Sequence, residues 1–163
     1  MIKELVERLK SAWKEAKYNP NENEPFFKIK CEFEGNKTGL PINAQVPGDL
    51  YEFWSIANAA KLFYDVAYGQ WGVEIFSYEK SIQKTQELSS GRRHDFGQID
   101  LIIGRFLGDS ELLLINCDKN TPSYGSIKIV MPIDPKEQWP TIANSFSDFL
   151  INYSEANGDK YWE

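Results

Sequence analysis

The sequence predicts an α+β fold, a mixed or mainly antiparallel sheet with helices packed around it. Apolar residues at helical spacing open the chain, a stretch near residue 30 alternates apolar and charged residues, and three short apolar runs are separated by turn-forming residues. A chain of 163 residues fits a single domain, 1–163, large enough to bury a core without disulfides or metals.

Ile2, Leu5, Val6, Leu9 and Trp13 share one helical face, which predicts an amphipathic helix at about 2–18. Asn19-Pro20-Asn21-Glu22-Asn23-Glu24-Pro25 then breaks it, because proline removes helical hydrogen bonds and asparagine favours turns. Phe27, Ile29, Cys31 and Phe33 alternate with Lys28, Lys30, Glu32 and Glu34, so a half-buried strand follows, ended by Gly35-Asn36. A second helix starts near Asp49, where Asp49 and Glu52 have capping-box spacing ahead of the stripe Leu50, Phe53, Trp54 and Ala57. Strands are predicted around Lys61–Tyr64 and Gly72–Phe76. Ser77 caps a weakly patterned third helix to about Leu88.

Ile99–Phe106, Glu111–Cys117 and Gly125–Pro132 read as an antiparallel meander. A closing helix is predicted from about Pro135 to Tyr153, since Trp139, Ile142, Ala143, Phe146, Phe149, Leu150 and Tyr153 fall on one face.

The formal net charge of -6 argues against nonspecific binding to nucleic acid or an anionic membrane, both of which reward a cationic surface. No apolar run is long enough to span a bilayer, and the N-terminus lacks a signal-peptide core. With only Cys31 and Cys117, a disulfide framework is not expected, and the reading is cytoplasmic. From Asp134 onward, six acidic residues face only Lys136 and Lys160, which concentrates a net -4 at the C-terminal end.

Leu62–Val73 is aromatic and glycine-rich, a rigid turn feeding a strand, with Tyr68, Gly69, Trp71 and Gly72 as its structural residues. Trp54 and Gly108 are read as structural too. The catalytic inventory is thin. Cys117 ends an apolar strand, and His94, the only histidine, lies in the charged Arg92-Arg93-His94 segment, so neither forms an activated nucleophile pair. Two distant cysteines and one histidine show no metal-ligand spacing, and Gly104–Ser110 lacks the glycine-lysine spacing of a phosphate loop. No cofactor, metal or catalytic residue is expected.

The ordered set Leu40-Pro41, Asp49–Trp54, Leu62–Asp65, Tyr68–Gly72, Gly104–Asp109, Pro132–Asp134, Trp139-Pro140 and Gly158–Glu163 resembles the SUKH superfamily of Smi/Knr-like domains. That resemblance implies a non-enzymatic domain whose sheet and loops bind a partner protein. Bacterial members are immunity proteins of polymorphic toxin systems; fungal relatives are cell-wall regulators. The preferred reading is an immunity protein against a cognate toxin domain such as a basic nuclease. The alternatives are a regulatory scaffold or a small-molecule binder with an aromatic pocket near Tyr68 and Trp71. Many relatives carry Asn-Gly where this chain has Asn58-Ala59, so a positive φ at Ala59 would be strained. The expected partner-binding residues are Asp109, Asp118, Asp159, Tyr161 and Trp162. Charge reversal at Asp109 and Asp159 is expected to slow association and reduce its salt dependence without changing thermal stability much.

Overall fold

A computed structural model describes residues 1–35, 40–41, 44–91 and 100–163. Asn36, Arg92-Arg93-His94 and Ile99, singled out above, lie outside them. The described chain forms an eight-stranded sheet in which each strand pairs antiparallel with the next: β1 (Lys17–Tyr18), β2 (Lys28–Phe33), β3 (Ala60–Asp65), β4 (Val73–Ile75), β5 (Leu101–Phe106), β6 (Leu112–Ile115), β7 (Ile127–Val130) and β8 (Thr141–Ala143). Four helices join it: α1 (Ile2–Ala12), α2 (Gly48–Ile56), α3 (Tyr78–Gly91) and α4 (Phe146–Glu155). The fold is the expected α+β one, with the sheet wholly antiparallel among the described residues.

The larger core lies between one sheet face and α1, α2 and α4, and joins Leu5, Leu50, Phe53, Ile75, Ile103, Phe146 and Phe149. A smaller cluster on the other face contains Phe76, Ile102, Leu114, Val130 and Trp139. Helix α3 runs beside the start of β5, where the Ile102 N–H donates to the Thr85 hydroxyl at 2.8 Å. Its Ile82 packs on the larger core and its Leu88 on the smaller one.

A bulge interrupts the β2–β3 ladder: Lys30 pairs with Tyr64 and Glu32 with Lys61, so Cys31 faces two residues, Leu62 and Phe63. Both turn inward, and Phe63 takes φ 53°. A bulky side chain in the left-handed region costs about 1–3 kcal/mol and persists only where its surroundings hold it. Trp13 and Tyr153 meet the Phe63 ring edge-on at 5.1 and 5.5 Å. The other non-glycine residue with positive φ among those described is Asn157, so Ala59 carries no such strain.

Three sequence expectations need correction. The first helix ends at Ala12 instead of near residue 18, because Lys17–Tyr18 turns back to pair with β2. No capping box closes α2: Asp49 Oδ1 accepts from its neighbour Leu50, and Oδ2 accepts the N–H and hydroxyl of Ser147 at the start of α4. The single closing helix is three elements, a 3-10 turn at Lys136–Gln138, β8 and α4. Pro140 holds Trp139 extended, and the Ser145 hydroxyl caps α4 by accepting from Asp148 N–H. Trp139 consequently packs on the opposite face from Phe146, its indole N–H shared between the Met131 and Asp134 carbonyls.

Candidate partner-binding site

The β3–β4 turn is built around Asp65, a carboxylate only 2% exposed. Its Oδ1 accepts the N–H groups of Ala67 and Tyr68 at 2.8 and 2.9 Å, and Oδ2 accepts that of Gln70 at 3.3 Å. A buried carboxylate is tolerated because donors replace its water. Gly69 and Gly72 both have positive φ, and a β-carbon at Gly72 would lie 2.6 Å from Tyr64 Cα, so the turn has little freedom to move. Tyr68 stands at its tip, 70% exposed, while Trp71 is half-buried against the larger core. Gly108, in the β5–β6 turn, lies so close to Gln70 that a β-carbon there would overlap the Gln70 carbonyl.

The C-terminal segment straps across this same end of the sheet. Asp159 accepts from the side-chain amides of Asn19 and Asn21, both at 3.0 Å, and Asn21 also donates to the Ala156 carbonyl. Lys160 Nζ pairs with Asp109 Oδ2 at 2.8 Å and Glu111 Oε2 at 3.2 Å. Burial works against the charge on Lys160, but the two carboxylates outweigh it and hold the ammonium above the usual lysine value. The Tyr161 hydroxyl donates to the Ile142 carbonyl on edge strand β8. Trp162 meets Phe106 edge-on at 5.4 Å and stacks on Tyr153 at 6.4 Å.

Four of the five residues expected to contact a partner, Asp109, Asp159, Tyr161 and Trp162, thus gather at one end of the sheet. Each makes a contact that holds the strap. Asp118 sits beyond the other end of β6, accepting the Asn120 N–H in the β6–β7 loop. Asp109 and Asp159 each make a contact within the fold, so reversing either removes that contact as well as surface charge. Trp54 is buried, and its indole N–H donates to the Phe76 carbonyl at 2.9 Å. Sequence reasoning missed Asp65, Lys160 and the pair Asn19 and Asn21. An aspartate three residues before Tyr68-Gly69 is the local signal of a capped turn; no local signal marks the others.

The sheet face opposite the larger core carries an aligned charge row, Glu32, Lys61, Glu74 and Arg105 on four successive strands. Burial opposes ionisation of Glu74, but hydrogen bonds from Arg105 and Lys80 outweigh it and hold its carboxyl below the usual range. Alternating signs leave the row largely neutralised from within. A cavity of about 300 Å³ opens at its end, lined by Glu32, Phe33, Glu34, Lys61 and Glu74 among others. The cavity beside Trp71 and Lys160 measures about 10 Å³, room for no more than a water. Burial pushes the thiols of Cys31 and Cys117 up to about 12. Among the described residues no three His, Cys, Asp or Glu side chains converge as a metal site requires, and no helix is long and apolar enough to cross a membrane.

The sequence model of the SMI1 / KNR4 family (SUKH-1) matches residues 41–152. No curated protein matches the chain. The matched span holds the Asp65 turn and most of α4, whereas α1, β1, β2 and the C-terminal strap flank it.

Proposed function

Because the chain belongs to the SMI1/KNR4 (SUKH-1) family, we propose that it is a non-enzymatic immunity protein that binds and neutralises a cognate toxin domain inside the producing cell. Family membership over residues 41–152 is the observation that carries this reading. The net charge of -6 supports it, since a nuclease toxin needs a cationic surface and an acidic inhibitor gains steering and specificity against one. Two buried thiols that resist ionisation fit a binding protein better than a thiol enzyme. The test is co-expression with a toxin domain encoded beside this chain's gene, which this reading expects. Rescue of growth and recovery of a stoichiometric complex are expected; a protein that neither rescues nor binds sinks the reading.

A further inference from the structure

Phe26 is 91% exposed and Tyr68 70% exposed, on segments that leave the sheet side by side. Phe26 lies just before β2 and Tyr68 just after β3, and the two strands are paired there, with the Val66 N–H donating to the Lys28 carbonyl at 3.2 Å. Tyr18 and Val66, both exposed, flank Lys28 on the paired strands, and the Lys28 ammonium lies over the Tyr18 ring at 5.4 Å. Isolated exposed apolar residues are ordinary, but two large rings exposed on adjoining segments, one of them on a turn locked by a buried aspartate, form a costly arrangement. It presents the Tyr68 backbone already ordered, so that less entropy remains to be lost on binding.

We infer that this end of the sheet docks a cationic protein surface, with Phe26 and Tyr68 as its aromatic anchors. Around it Glu22, Glu24, Asp109, Glu111 and Asp159 outnumber Lys17, Lys28 and Lys160. Lysine and arginine are attracted both to those carboxylates and to the faces of phenyl and phenol rings. A second copy of this chain is a poorer occupant, since a two-fold contact would bring two acidic ends together. The inference rests on the immunity reading and assigns it a surface.

The test titrates the toxin domain against which the parent protects cells. Phe26→Ala and Tyr68→Ala are expected to weaken binding at least about 30-fold each, as central aromatic anchors do. Tyr68→Phe should stay within a few-fold, and Ile133→Ala, at an exposed position after β7, four strands across the sheet from β3, should bind like the parent. Glu22→Lys combined with Glu24→Lys should slow association and flatten its salt dependence. The exposed positions predict unchanged thermal midpoints. Parent-like binding by both alanine variants overturns this surface while leaving the immunity reading intact, whereas a parent that binds no toxin overturns both. Self-association of the parent that Tyr68→Ala abolishes would assign the patch to a second copy and also overturn it.

Discussion

Gly158 presses against Phe63 so closely that a β-carbon at position 158 would stand 2.7 Å from Phe63 Cγ, with φ +87° at the glycine and +53° at the phenylalanine. Two left-handed residues, far apart in the chain, meet where the C-terminal strap closes over the β2–β3 bulge. The contact couples the tail to the strained strand beneath it.

Gly158→Ala is therefore expected to destabilise the fold by about 2–4 kcal/mol, combining left-handed strain with a clash against a side-chain base that has nowhere to move. Urea unfolding measures it. A change below about 0.5 kcal/mol would show that the strap lifts freely.

Lys160→Met leaves Asp109 and Glu111 facing each other without a cation and is expected to cost about 1–2 kcal/mol, between exposed and buried ion pairs. Because folding raises the Lys160 pKa above its ordinary 10.5, the contribution is complete below that value and fades as pH rises through the folded one. The gap in thermal midpoint between parent and variant should thus hold at pH 7–9 and narrow at strongly alkaline pH. A gap that closes already at pH 8 contradicts the assignment.

Trp54→Ala should cost on the order of 3–5 kcal/mol, since a fully buried indole leaves a cavity. Trp54→Phe should cost about 1–3 kcal/mol, because the Phe76 carbonyl loses its buried donor. Trp71→Ala, at a half-buried position, should cost less than Trp54→Ala. Denaturant titration of the three variants ranks them, and the reverse order would refute this account of the two indoles.

Cys31 and Cys117, with thiols pushed up to about 12 by burial, should be unreactive toward a disulfide reagent at pH 8 in the folded protein and react quickly in urea. Rapid native-state labelling of Cys117 would reopen a thiol-based activity.

The sequence by itself determined those features whose cause is local. Alternation over Ile29 and Cys31 and the helical stripe of Ile2, Leu5, Val6 and Leu9 emerge because each side chain's preference for core or water sets the period of its own segment. That same periodicity misreads residues 135–153 as one helix: Trp139 and Phe146 share a helical face on paper, but Pro140 and Ser145 divide the segment and send the two rings to opposite sides of the sheet. Only the tertiary structure decided that Lys160 meets Asp109, that Asp159 meets Asn19, and that Glu32, Lys61, Glu74 and Arg105 fall in one row. Those pairings depend on strand register and chain closure over separations of up to 140 residues. The stretches around Lys160 or Asn19 look like ordinary solvated surface, because a polar side chain's partner is chosen by the assembled fold and not by its neighbours in sequence.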